Sequence, residues 1–123
     1  GILPGGGVAL LRAATALDGI EAPGDEAVGV NIVRKALRRP LWQIAENAGV
    51  DAAVVGENVL KSESKTWGYD AAAEKYCDLL ECGVVDPTKV VRTALQNGAS
   101  VAGELLSTDA AIGKHPPRKR KKR

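Results

Sequence analysis

Apolar residues recur three or four positions apart through most of the chain, which is the spacing of amphipathic helices. The spacing is clearest in two segments, Val8–Leu17 and Val90–Leu106. No segment alternates apolar and polar residues for long enough to predict an extended sheet. The pattern therefore predicts an all-α, mostly helical chain. Its helices are expected over residues 8–17, 25–38, 41–48, 71–80 and 87–106, with a short one after Asp51.

Acidic residues and prolines predict where several of these helices begin and end. Asp25, Asp51 and Asp86 each precede or open a predicted helix, where a carboxylate accepts hydrogen bonds from free backbone N–H groups. Pro87 suits the first helical position after Asp86. Pro40 is expected to end one helix or to begin the next, because proline removes a helical hydrogen bond.

Aromatic residues make up only 3% of the chain, and Phe is absent, so the core must consist of Ala, Val, Leu and Ile. Two of the aromatic residues lie in the segment Trp67–Asp70, which also contains a glycine. This mixture predicts a short β-hairpin near residues 67–85 or an irregular turn. Cys77 and Cys82 are too few for a disulfide framework, and we expect small core residues in a reducing compartment.

Length and composition exclude several classes of protein. The chain has 123 residues, which is enough for one domain, and its 26% of charged residues is ordinary for a globular protein. It contains no apolar stretch of about 18 residues, so no transmembrane helix is predicted. The basic and apolar regions of a secretory signal are also not found at the N-terminus, and we expect no membrane association.

Basic residues are concentrated at the end of the chain. Seven of the 17 Lys and Arg residues lie in the last ten positions, which leaves 10 against 15 Asp and Glu in residues 1–113, a net charge of −5. The sequence predicts a domain over residues 1–112 and a disordered basic tail over residues 113–123. Such a tail is typical of nucleic-acid binding or nuclear import. It could also be a plain solvated extension, since it has no aromatic residues that would stack on bases.

Three positions are candidates for binding chemistry, each with a simpler structural alternative. The glycines 5–7 precede a helix and could bind an anion through free N–H groups, or form a flexible turn. Asp86 could contact a ribose or a metal, or cap a helix. Asp70 could contact a ligand or belong to a turn. No catalytic residue and no metal ligand set is predicted, because His115 is the only histidine and no cysteine cluster exists.

Several sequence blocks match one protein family in order. They are Gly1–Leu10, Gln43–Gly49, Trp67–Ala71, Gly83–Gln96 and Ala99–Gly103. Over residues 1–112 the chain resembles the C-terminal part of a group I chaperonin of the GroEL type. The blocks GGGVAL and DPTKV are the most specific in combination.

The resemblance implies a segment of the equatorial domain, a mostly helical module that holds ATP and makes ring contacts. It implies that Gly6 lies against the nucleotide and that Val84 packs on adenine. The segment Asp70, Ala71 and Ala72 would line the base and ribose, while Asp86 would bind the ribose. The magnesium ion that accompanies ATP is held in the family by other segments.

The resemblance also implies partners that act with the full-length protein. These are other subunits in two stacked seven-membered rings, a co-chaperonin lid and unfolded polypeptides, in the bacterial cytoplasm or in a mitochondrial or plastid matrix. The family's phosphate-gripping loop, its metal-binding aspartate and its water-activating carboxylate are not in this chain. We therefore expect no ATP hydrolysis by residues 1–123 alone. The alternative is a stand-alone helical protein whose basic tail binds nucleic acid or an acidic partner.

Overall fold

The computed structural model describes residues 1–114, and these are mostly helical, as predicted. The elements are β1 (Ile2–Pro4), α1 (Val8–Ala13), α2 (Asp25–Asn47), α3 (Ala52–Lys61), β2 (Trp67–Asp70), β3 (Lys75–Asp78), β4 (Val85–Pro87) and α4 (Thr88–Leu106). The helix predicted over residues 8–17 is an α-helix only to Ala13 and continues as a 3-10 helix over Ala14–Gly19. The predicted disordered tail lies outside the described residues, apart from its first two positions.

The chain divides into two compact units, Gly1–Val91 and the residues from Arg92 onward. The hydrophobic core lies in the first unit and is built from small aliphatic side chains, as the composition predicts. Its buried members are Val8 and Leu11 of α1, Leu41 and Ala45 of α2, Ala52, Val55 and Val59 of α3, and Leu79 after β3. In the second unit, the part of α4 that follows Val91 has no buried residue.

Helix α2 runs through Pro40, so the prediction that Pro40 separates two helices is wrong. A proline inside a helix costs about 3 kcal/mol, because it removes one hydrogen bond and crowds the preceding turn. Leu37 and Leu41 flank Pro40 and are only 4% and 2% exposed. Burying a leucine contributes about 1.5–3 kcal/mol, so the two together offset the cost of the proline. Tertiary packing therefore decides the length of this helix.

The segment after Trp67 forms an antiparallel hairpin of β2 and β3, which confirms the predicted hairpin but contradicts the helix predicted over residues 71–80. The rings of Tyr69 and Tyr76 pack edge to face across the two strands, with centroids 5.1 Å apart. In the connecting turn, Glu74 adopts a left-handed conformation with φ of 52°. Cross-strand aromatic packing and this turn outweigh the weak helical preference of the alanines.

Of the predicted helix caps, Asp51 is confirmed, whereas Asp25 and Asp86 are wrong. Asp25 is the first residue of α2, and the cap position before it is occupied by Gly24. The Asp51 carboxylate accepts hydrogen bonds from the N–H groups of Ala53 and Val54 at the start of α3. Asp86 instead lies in β4, opposite Leu3 of β1, and α4 begins only at Thr88. The strand pairing satisfies the backbone of this segment and moves the helix start two residues beyond Asp86.

Candidate functional site

The glycine run forms the tight turn between β1 and α1, where the chain passes close to two other segments. The Gly5 N–H donates a hydrogen bond of 2.9 Å to the Val84 carbonyl oxygen. Gly6 has a positive φ of 64°, and a Cβ placed there would lie 3.6 Å from the carbonyl oxygen of Tyr69. The turn therefore passes close to both the hairpin and the segment before β4, and glycine permits this approach.

Asp70, Ala71 and Ala72 lie at the tip of the hairpin, where β2 turns into β3. The Oδ1 atom of Asp70 accepts hydrogen bonds from the N–H groups of Ala72, at 2.9 Å, and Ala73, at 3.2 Å. Asp70 therefore belongs to a turn, which is the simpler alternative predicted from the sequence. Both bonds use Oδ1, so the turn does not require Oδ2. Ala71 is half-buried, and Ala72 is exposed.

Val84 and Asp86 are positioned by the pairing of β1 with β4. Leu3 lies opposite Asp86, and Pro4 lies opposite Val85, so the ladder leads directly into the glycine turn. Val84 packs against the hydrophobic core, while Asp86 is half-buried. A carboxylate in this position can accept hydrogen bonds from hydroxyl groups, since its two oxygens offer about four lone-pair sites.

Two contacts join the glycine turn to the segments that carry the other site residues predicted from the sequence. Gly6 lies beside the hairpin through Tyr69, and its neighbour Gly5 binds the segment that carries Val84 and Asp86. A small depression beside Gly6, partly open to solvent, has a volume of only about 10 Å³. It is lined by Gly6, Leu41, Ile44, Ala45, Val55 and Tyr69. This volume is below the roughly 300–1,000 Å³ of clefts that enclose small-molecule ligands.

Sequence reasoning missed Arg12, which supports the hairpin from α1. Its Nη2 atom donates hydrogen bonds to three carbonyl oxygens, of Val59 at 2.8 Å, Ser62 at 3.3 Å and Ser64 at 2.6 Å. These oxygens belong to the last turn of α3 and to the loop that leads to β2. One guanidinium therefore holds in place the segment that leads into the hairpin. The signal in the sequence is a single charged residue inside the apolar run Val8–Leu17.

The loop before β2 is also joined to the end of β3 through Asp78. The Thr66 hydroxyl donates a hydrogen bond to Asp78, whose Oδ1 also accepts bonds from the N–H groups of Leu80 and Glu81. The Thr66 hydroxyl lowers the pKa of the Asp78 carboxyl below its ordinary value of 3.8. Desolvation raises this pKa, but by less than the Thr66 hydroxyl lowers it, and the two N–H groups lower it further.

The Asp78 contact predicts a stability that depends on pH. Because the folded pKa lies below the unfolded one, the contribution is complete above about pH 4 and is lost as pH falls through the folded pKa. Thr66→Val should bring the Asp78 pKa closer to its ordinary value, so the variant should lose less stability on acidification. Urea unfolding of both chains between pH 5 and 2 measures this difference.

Ser64→Ala is the matched control, because the Ser64 hydroxyl bonds the Thr66 hydroxyl and not the Asp78 carboxylate. It should retain the acid dependence of the parent chain. Identical pH profiles for the parent and Thr66→Val would contradict the assignment.

The described residues show neither a metal cluster nor a helix that could span a membrane. Between Gly1 and Lys114, no three His, Cys, Asp or Glu side chains gather in a way that could hold a metal ion. No helix in the same range has the length and apolar character needed to cross a bilayer.

Two comparisons with known proteins show what this chain is similar to. The profile of the TCP-1/cpn60 chaperonin family matches residues 1–116. The crystal structure of a group III chaperonin in the open state superposes with a TM-score of 0.81 at 31% sequence identity, over 91% of this chain and 24% of that chain. The chain thus spans about a quarter of the length of this relative. On the family match and this fold, the chain belongs to the TCP-1/cpn60 chaperonin family.

Proposed function

We propose that the chain is part of the equatorial, ATP-binding domain of a group I chaperonin and supplies the adenine and ribose side of the nucleotide site. The observation that carries the proposal is the meeting of three segments at one turn. Gly6 lies beside Tyr69, and the N–H of Gly5 binds the carbonyl of Val84. Family membership makes a nucleotide the natural ligand of this turn.

Each proposed contact follows from the chemistry of the residue concerned. Asp86 accepts hydrogen bonds from the ribose hydroxyls, and Val84 offers an apolar surface to the base. The small side chains of Ala71 and Ala72 let the purine approach the hairpin tip, and Gly6 lets the sugar and phosphates pass close to the backbone. ATP supplies the phosphoryl group, whose transfer needs residues that the family carries on other segments.

The exposed surface of α2 supports the view that other protein segments complete this domain. Val28 and Ile32 are each 58% exposed, and Val33 is 42% exposed, although all three are aliphatic. They lie on the stretch of α2 that precedes the buried Leu37. In the proposed setting, the rest of the chaperonin subunit covers these side chains. The subunit that contains this chain then joins other subunits in two stacked seven-membered rings. It acts on unfolded polypeptides together with a co-chaperonin lid, in the bacterial cytoplasm or an organelle matrix.

The proposal predicts that residues 1–123 bind adenosine weakly, and ATP about equally weakly, because the groups that grip phosphate lie elsewhere in the family. NMR titration of the chain should perturb the amides of Gly6, Asp70, Ala71, Val84 and Asp86. Asp86→Ala removes charge-assisted hydrogen bonds worth about 1.5–3 kcal/mol, which is a loss of affinity of roughly 10-fold to 150-fold.

Asp25→Ala is the matched control, because Asp25 is an exposed carboxylate in the first turn of α2. It should leave adenosine binding unchanged. Perturbations confined to other parts of the chain, or an equal loss for both variants, would argue against the site. The stand-alone alternative stays a prediction, since most of its basic tail lies beyond Lys114 and outside the described residues.

A further inference from the structure

The two cysteines of the chain lie together, Cys77 in β3 and Cys82 in the turn between β3 and β4. Their sulfur atoms are in contact, and their Cα atoms are 6.9 Å apart. Cys77 packs against the hydrophobic core, as expected of a small core residue, but Cys82 is exposed, which contradicts that expectation. Cys82 is therefore accessible to small molecules, and Cys77 is placed to react with it.

The backbone of the turn holds the two residues in this arrangement. The Cys82 N–H donates a hydrogen bond of 2.9 Å to the Asp78 carbonyl, and the Gly83 N–H donates one of 3.2 Å to Leu80. The Val84 N–H donates a further bond of 2.8 Å to the carbonyl of Leu79, whose side chain is fully buried. The pair is thus preorganised by a turn that is itself fastened to the core.

We propose that Cys77 and Cys82 form a reversible dithiol–disulfide site whose substrates are small disulfides and thiols of the glutathione class. The exposed Cys82 thiolate attacks the small disulfide, which releases one small thiolate and leaves a mixed disulfide. The Cys77 thiolate then attacks the Cys82 sulfur and releases the second small thiolate. In total the two cysteines lose two protons and two electrons, and the small disulfide gains them as two thiols.

Closure of this disulfide affects the candidate site through the turn. A disulfide between Cys77, in β3, and Cys82 closes a loop around residues 78–81, so its reduction frees the turn from this constraint. The turn runs directly into Val84, whose carbonyl accepts the Gly5 N–H. The redox state of the pair therefore alters the support of the glycine turn. An effect of this redox change on nucleotide binding follows only if the glycine turn binds nucleotide, and that step rests on the proposed function.

The thiol chemistry can be tested on residues 1–123 directly. The folded chain is equilibrated with mixtures of oxidised and reduced glutathione, quenched with acid, alkylated with N-ethylmaleimide and weighed by intact mass spectrometry. Oxidising mixtures should convert it to a form that is lighter by two hydrogens and takes up no maleimide, and reduced glutathione should reverse this. Cys77→Ser, the matched control, should stop at one glutathione per chain. A parent chain that keeps two alkylatable thiols, or ends mainly as a glutathione adduct, would overturn the proposal.

The coupling to the turn has a separate readout. Amide hydrogen exchange at Gly5 and Val84 should differ between the dithiol and disulfide forms. The same buffers should produce no difference in the double variant with Cys77→Ser and Cys82→Ser. Equal exchange in the two forms of the parent chain would overturn the coupling. Neither measurement includes a nucleotide, so failure here is distinguishable from failure of the adenosine titration.

Discussion

Gly7→Ala is expected to lower the free energy of unfolding by about 2–5 kcal/mol, because the substitution combines two costs. Gly7 has a positive φ of 77°, a conformation that costs residues with a side chain about 1–2 kcal/mol. A Cβ at this position would also lie 2.5 Å from the backbone nitrogen of Leu41 and 2.8 Å from its Cα. Leu41 is buried in α2, so relief requires α1 and α2 to separate, at about 1–3 kcal/mol.

Gly49→Ala separates the two costs. Gly49 has nearly the same φ, 75°, but a Cβ there would meet no atom within 4 Å. This variant should therefore lose only about 1–2 kcal/mol. Urea unfolding of both variants, followed by far-UV circular dichroism, gives the comparison. Equal losses would show that α1 and α2 do not pack as closely as the contact between Gly7 and Leu41 requires.

Arg12→Met is expected to cost about 2–4 kcal/mol, because three carbonyl oxygens lose a charged donor, and such hydrogen bonds contribute about 1.5–3 kcal/mol each without adding fully. The methionine keeps the apolar packing of the side-chain stem and cannot donate. The bonds to Val59 and Ser62 are partly buried, so water replaces the guanidinium poorly. Urea unfolding gives the overall loss, and amide exchange over residues 62–66 should rise locally.

Arg39→Met is the matched control on α2. Arg39 also bonds a side chain, Gln43, and forms an ion pair with Glu46, but both contacts are exposed. Surface contacts of this kind contribute little, so we expect a change within about 0.5 kcal/mol. A similar loss for the two variants would show that the three carbonyls do not depend on Arg12.

Local signals in the sequence predict the elements that depend on neighbouring residues alone. Asp51 caps α3 through two adjacent N–H groups, and the Trp67–Asp70 segment begins a hairpin. Both outcomes are controlled by residues within a few positions, so spacing and residue type are sufficient. The site residues Gly6, Asp70, Ala71, Ala72, Val84 and Asp86 come from the resemblance to chaperonins, and their contacts with nucleotide stay a prediction.

The errors occur where distant residues decide the outcome. Asp86 and Pro87 resemble a helix start, yet they form β4 because β1, more than 80 positions earlier, pairs with them. Pro40 resembles a helix break, yet Leu37 and Leu41 are buried on either side of it. In both cases long-range pairing or burial outweighs a local preference of a few kcal/mol. The alanines after Asp70 also resemble a helix, but there the outcome is decided within the hairpin, by the packing of Tyr69 against Tyr76.

By itself, the sequence determined the mostly helical class and the small aliphatic core, because these depend on composition and periodicity. Its motifs carry the resemblance to chaperonins, and it is this resemblance that implies the candidate site residues. Only the tertiary structure decided that Gly5 binds Val84, that Arg12 supports the hairpin and that Cys77 contacts Cys82. The first two contacts join residues 79 and 47 positions apart. The third depends on the path of one turn, because residue type and spacing do not specify how the chain closes upon itself.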